Sequence, residues 1–234
     1  MTDRLPPIAA QRARNVAIRD HAVRVAQTLG ASVGHEAHSV VVVPANTRET
    51  APLPELTRQR FLLRLSSTIR RVLVAGDPDA NPIVSAEQAA AMTDASQHEP
   101  SNDARTVGFA CATCRGECCT AGGDHAFLRD DSIARVHAAN PTLDEHELLA
   151  TYAGYLPVRH YRGSCVYHTT VGCALTRDLR SNLCNRYVCG GVTQLRHALA
   201  SSDNAPTFIA AADSVHLRRM ALVDAKEARP IPLT

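Results

Sequence analysis

The sequence predicts a mainly α fold with short β segments: a helical N-terminal region followed by a cysteine-cluster domain. Three observations predict it. Apolar residues recur at helical spacing over 8–29, 55–74, 128–139 and 143–156. Only brief runs, Val40–Val43 and Thr207–Ala211, read as strands. All eight cysteines fall between 111 and 189, and the first hundred residues have none.

The elements follow in order. Residues 8–29 place Ala13, Val16, Val23 and Ala26 on one helical face. The run Val40–Val43 stops at Pro44. Residues 55–74 form the clearest helix, with Leu62, Leu65, Ile69 and Leu73 inward and Arg60, Arg64 and Arg71 on the other face. Those arginines read first as a solvated face, and otherwise as a surface for an acidic protein partner. Ser85 to Gln88 fits a capping box ahead of a short Ala-rich helix. The polar stretch Gln97 to Arg105 reads as a linker. It divides a region 1–105, of unknown role, from a domain 106–234.

In the second part, Ile133 and Val136 face inward on a helix that Pro141 stops. Thr142 to Glu145 fits a capping box for the next helix, where Leu148, Tyr152 and Tyr155 share a face. Asp124 and Asp130 are candidate caps. Gly190 and Gly191 precede a helix begun by Val192, Leu195 and Leu199. Residues 214–226 read as helical.

Composition narrows the function. A chain of 234 residues with 45% hydrophobic content can bury a core, so the cysteines are not compensating for a fold too small to stand. The net charge of +2 argues against bulk nucleic acid as a partner, although the basic helix at 55–74 keeps a nucleic-acid-binding module as a weaker reading. Lys226 is the only lysine, which reflects composition bias and not chemistry. No run approaches the roughly 18 apolar residues of a membrane helix, and no targeting segment is visible. The expectation is a cytoplasmic chain without a membrane partner, where thiols stay reduced.

In a reduced compartment, clustered cysteines read as metal ligands or redox groups before they read as disulfides. The first group is Cys111, Cys114, Cys118 and Cys119, in the run CATCRGECC. Two residues between Cys111 and Cys114 let the chain turn so that both sulfurs reach one ion at about 2.3 Å. Gly116 frees a tight turn. Adjacent Cys118 and Cys119 suit ligands of two different metals, or one ligand and one buried thiol. The second group is Cys165, Cys173, Cys184 and Cys189. A hairpin with Thr169, Thr170 and Gly172 near its turn would bring Cys165 and Cys173 together. Zinc and iron, including an iron–sulfur cluster, both suit such thiolates. The C-x3-C-x2-C order of a radical-SAM site is absent, since this chain has C-x2-C-x3-C.

The run CATCRGECC, then Cys165 and Gly172-Cys173-x-Leu175, then Arg180-x3-Cys184-x4-Cys189, resembles the YkgJ-type cysteine-cluster family. That family is described as a zinc- or iron-chelating domain. The resemblance covers roughly 107–200. It implies metal ligands at Cys111, Cys114, Cys118, Cys119, Cys165, Cys173, Cys184 and Cys189. Where the family has Arg-Pro before the third late cysteine, this chain has Arg180-Ser181. A flagellin lysine N-methylase shares the cluster type, which implies an iron–sulfur enzyme modifying a protein side chain as the alternative to a structural metal.

Other groups flank the cysteines. His125, His160 and His168 read as surface residues or as groups that orient a ligand. Glu117 is a candidate base toward a metal-bound water, against the plainer reading of a solvated side chain. Arg115, Arg180 and Arg186 would offset thiolate charge or bind an anion. Four thiolates per ion leave no open position, so the expected metal is structural.

Overall fold

A computed structural model of the chain describes residues 8–33, 39–75, 102–200, 206–223 and 228–232. The expected helix after Ser85 and most of the expected linker lie outside the described residues. The chain is about half helical and carries a mixed sheet of short strands. It forms two units that do not follow the division at residue 105. One comprises 1–47, 100–117 and 188–234, and the other 48–99 and 118–187.

The first unit is a sheet covered on both faces. Its strands are β1 (Ser39–Pro44), β6 (Thr207–Ala212), β7 (Leu217–Val223) and β8 (Ala228–Ile231), adjacent in that order. β1 runs parallel to β6, with Val41 opposite Ile209. β6–β7 and β7–β8 are antiparallel. Every residue of β6 is buried, as double coverage demands. Alternation sends Phe208 and Ala210 toward helix α1 (Ile8–Val33), where Ala22 and Ala26 pack. Ile209 and Ala211 face helices α3 (Asn102–Cys114) and α7 (Gly190–Ala200) through Ala110, Cys114 and Leu195. The buried stripe of α1 is Ile18, Ala22 and Ala26, and Val16 is exposed.

One expected strand forms and one expectation changes in this unit. Val40–Val43 lie in β1, as their run suggests. Residues 217–223 form a strand, not the expected helix over 214–226. The run Leu217–Val223 is short and apolar, a pattern that suits either state. Pairing with β6, which places Met220 opposite Ala210 and Leu222 opposite Phe208, decides it.

The second unit is helical with two small hairpins. α2 (Glu55–Ala75) buries Phe61, Leu65, Thr68 and Ile69. Phe61, Leu65 and Ile69 pack in one core with Ile133 and Val136 of α4 (Asp130–Ala139) and with Leu148 and Tyr152 of α5 (Glu145–Gly154). Tyr167 meets Phe61 edge to face at 5.3 Å between ring centroids. The arginines of α2 find acidic partners within this unit: Arg64 with Asp124, Arg70 with Glu145, and Arg71 with Asp130 at 2.7 Å. β2 (Thr50–Pro52) pairs with β3 (Arg159–Tyr161), and β4 (His168–Thr169) with β5 (Gly172–Cys173).

The cap of α5 sits two residues beyond the expected Thr142. Asp144 accepts the Glu147 N–H at 2.8 Å, and Glu147 accepts the Asp144 N–H at 3.0 Å. Glu145 is therefore released to pair with Arg70. α4 begins at Arg129 without a side-chain cap, so Asp124 and Asp130 serve as ion partners of α2 and not as caps.

Candidate metal centre

All eight cysteines stand as thiols. Sequence order groups them four and four, but the fold divides them differently. Cys111, Cys114 and Cys189 belong to the first unit. Cys118, Cys119, Cys165, Cys173 and Cys184 belong to the second.

In the first unit, the C-x2-C pair lies on a helix and not on the expected turn. α3 continues through Cys114, and only then does the chain reverse, with Arg115 at φ 57° and Gly116 at φ 70°. Both are left-handed, a conformation costly for arginine and free for glycine. Cys111 is exposed. Cys114 is 7% exposed, packed with the apolar side chains of the sheet, and its Sγ accepts the Glu117 N–H at 3.3 Å. Arg219 of β7 closes the end of α3. Its Nε donates to the Thr113 carbonyl at 2.7 Å, and a terminal nitrogen donates to the carbonyls of Asn46 and Cys114. A cation there also meets the negative end of the helix dipole. Nothing in the sequence near the cysteines points to Arg219, because the contact spans the fold.

In the second unit, four chain segments carry the five thiols. Cys118 and Cys119 lie on a 3-10 helix, Glu117–Gly122. The Cys165 N–H donates to the Cys119 carbonyl at 3.1 Å, and the Val166 N–H to the Gly123 carbonyl at 3.0 Å. These bonds lay the 165–166 segment along the 3-10 helix. Gly122 permits the approach: a Cβ there would stand 2.8 Å from the Cys165 Cβ and 3.2 Å from its Sγ. The expected hairpin forms, with His168 opposite Cys173 and Gly172 at φ 105°.

Cys184 is placed by a second set of bonds. It lies on α6 (Asn182–Arg186), whose N-cap is Ser181; the Ser181 Oγ accepts the Cys184 N–H at 3.0 Å. Serine is a favoured residue at such a position, because its hydroxyl satisfies a helix N–H that has no partner within the helix. Arg135 of α4, buried, holds the approach to this turn. It donates to the Asn182 Oδ1 at 2.7 Å and to the carbonyls of Asp178 and Arg180 at 2.6 Å each. Arg180 donates to the Leu175 carbonyl at 2.9 Å.

The five sulfurs feel one another. A hydrogen bond that the Cys119 thiol donates to Cys118, burial, and the charges Cys118, Cys165 and Cys173 would carry all push the Cys119 thiol far above its ordinary range. Burial pushes Cys165 up to about 12, with Cys173 and Cys184 adding to the rise against a backbone hydrogen bond at Tyr167. Burial also raises Cys184, as do Cys173 and Cys118, while a hydrogen bond from Ser181 and the charge of Arg180 oppose the rise. Multiple thiolates in this space repel unless a cation joins them. A bound metal supplies that charge and deprotonates its thiols outright.

The flanking groups are mostly committed. The His168 Nδ1 shares a hydrogen bond with the Ser164 Oγ at 2.8 Å, and its ring packs on Tyr161. The His125 Nδ1 accepts the Phe127 N–H at 3.0 Å. His160 is buried, its Nδ1 has no hydrogen-bond partner, and burial lowers its pKa against a hydrogen bond at the Cys165 backbone. The donor set therefore fits a thiophilic ion in kind and number. It is not drawn into ligand geometry: among the described residues no three Cys, His, Asp or Glu side chains are gathered to hold an ion.

No described helix is long and apolar enough to cross a membrane. No family model, curated protein or solved structure matches the chain.

Proposed function

We propose that the protein binds zinc or iron, as an ion or an iron–sulfur cluster, through thiols of its second unit, and that the metal holds that unit together. The observation that carries this reading is that four segments of one unit carry Cys118, Cys119, Cys165, Cys173 and Cys184, with the Cys119 and Cys165 segments joined by a backbone bond. Sulfurs bound tetrahedrally at about 2.3 Å stand about 3.8 Å apart, a spacing neutral thiols also adopt when hydrogen-bonded. The resemblance to the YkgJ-type family points the same way.

The metal would supply a cross-link among the four segments and a cation among their thiolates. The protein side chains supply the rest. Gly122 admits Cys165, Ser181 and Arg135 set the turn of Cys184, and Arg180 offers positive charge beside it. Cys111, Cys114 and Cys189 belong to the other unit and are not assigned to this site.

The test is metal and sulfide analysis of full-length protein purified without oxygen. Stoichiometric zinc, or iron with sulfide, is expected, and Cys165→Ala should abolish it. Wild-type chain that is folded and metal-free would sink the proposal. Iron with equimolar sulfide would direct attention to the enzymatic reading, and zinc to the structural one.

A further inference from the structure

The second unit also holds a cleft of about 550 Å³ between one face of α2 and the start of α4. That volume lies within the range of small-molecule sites, roughly 300–1,000 Å³. α2 presents Arg64, Ser67, Thr68 and Arg71 to it, at the spacing that puts side chains on one helical face. The opposite wall is Leu128 and Arg129, then Asp130 and Asp131 in the first turn of α4. The acids of this cleft are already engaged. Asp130 accepts from the Nε and a terminal nitrogen of Arg71. Asp131 accepts from the Asn182 Nδ2 and the Ser132 Oγ. Arg71 is engaged on all sides, since its other bonds go to the Ser67 carbonyl, the Ser67 hydroxyl and the Thr68 hydroxyl. The other two arginines keep donors in reserve. Arg64 gives one terminal nitrogen to Asp124 at 3.3 Å, and the rest of its fork has no partner among the described residues. The Arg129 side chain has no partner at all among them.

We propose that this cleft binds the phosphate group of a small phosphorylated molecule, with Arg64 and Arg129 as the donors and Arg71, locked by Asp130, as a fixed wall. Guanidinium forks bind phosphate oxygens in pairs, and a phosphate monoester offers three terminal oxygens to two forks at once. A carboxylate has two oxygens and satisfies one fork. The cleft is far larger than a phosphate group, and the buried Leu128 gives the organic part an apolar surface to lie on. Three arginines and three aspartates meet here once Asp124 is included. The preference for an anion therefore comes from donors left without acceptors and not from net charge. Binding at this place needs no metal and does not rest on the metal-binding reading above.

The experiment titrates full-length, isotope-labelled protein with phenyl phosphate, inorganic phosphate and benzoate at constant ionic strength, following backbone amide shifts. Phenyl phosphate should saturate with a dissociation constant below about 1 mM. The amides that move should be those of 64–71 and 128–131. Inorganic phosphate should move the same amides with lower affinity. Benzoate should bind about tenfold more weakly than phenyl phosphate, because it leaves one fork unfilled. Arg64→Gln and Arg129→Gln should each weaken phenyl phosphate about tenfold, the loss of charge-assisted hydrogen bonds. Arg129→Gln breaks no side-chain contact among the described residues, so it keeps the fold. Arg70→Gln is the control: it removes an α2 charge that pairs with Glu145 outside the cleft, and should change the affinity less than about twofold. Shifts that never saturate, shifts scattered over the surface, benzoate binding as tightly as phenyl phosphate, or equal weakening by Arg70→Gln would overturn the assignment.

Discussion

The Arg135 Nε lies 2.7 Å from the Asn182 Oδ1, so a buried guanidinium on α4 holds the turn that carries Cys184. The same side chain satisfies the Asp178 and Arg180 carbonyls. Asn182 is held from the other side as well, its Nδ2 donating to Asp131 at 2.9 Å and its N–H to the Ser132 Oγ at 3.1 Å. One planar fork therefore organises a loop that has no strand or long helix of its own.

Arg135→Ala should destabilise the second unit strongly. It strands the buried Asn182 side chain and two part-buried carbonyls, and each unmade buried bond costs about 1–3 kcal/mol. A total near 3 kcal/mol or more is expected. Arg135→Lys keeps the charge but not the fork, so it should recover less than half of the loss. Urea denaturation followed by circular dichroism measures both. A loss below 1 kcal/mol for the alanine variant would contradict the assigned role.

Gly122→Ala tests the close approach to Cys165. The new Cβ would meet the Cys165 Cβ at 2.8 Å, and neither atom sits at the end of a flexible side chain. Overpacking of this kind costs about 1–3 kcal/mol. Gly154→Ala is the control, because a Cβ there meets nothing within 4 Å. It closes a helix, where alanine is favoured over glycine by about 0.5–1 kcal/mol. The two substitutions should move the melting temperature in opposite directions.

What the sequence revealed, and what it hid, follows the range of the interactions. Helical periodicity located α2 and α4 because it is a local signal. The β4–β5 hairpin was legible from Gly172 and the threonines beside it, again a local matter. The strand β7 was not, since partnership with β6 decides a short apolar run. Arginines beside the cysteines drew attention for their charge, yet the one that positions Cys184 is 47 residues from its partner. Gly116 could be read as a turn, while Gly122 matters only through Cys165. The division of the thiols into five and three is likewise a property of the fold: α3 carries Cys111 and Cys114 into the sheet unit, whatever their spacing suggests.

That division makes a direct prediction for Cys114. Its side chain packs among Val41, Leu195 and Ile209. Cys114→Ala removes one sulfur from a core and the acceptor of the Glu117 N–H. It should cost about 1 kcal/mol, in the range of small core truncations, and leave metal content unchanged. Cys165→Ala should strip the metal. Equal metal loss in both variants, measured by elemental analysis of folded protein, would require Cys114 to be a ligand.

Asp213 sets a pH dependence away from the cysteines. It sits in the turn between β6 and β7. Burial acts to raise its pKa, but the N–H groups of His216 and Val215 and the Arg218 guanidinium outweigh that and hold it down to about 2. The unfolded value is about 3.9. A depressed carboxylate contributes stability that is complete above the unfolded value and disappears as pH falls through the folded one. Asp213→Asn should therefore melt at a lower temperature than wild type between pH 5 and 7, with the usual order restored by no change in salt alone because two of the three contacts are backbone bonds. The gap should close as pH drops from about 4 to about 2. Melting curves of both proteins across that range measure it directly, and a gap that persists undiminished at the acid end would show that charge at Asp213 is not what steadies the turn.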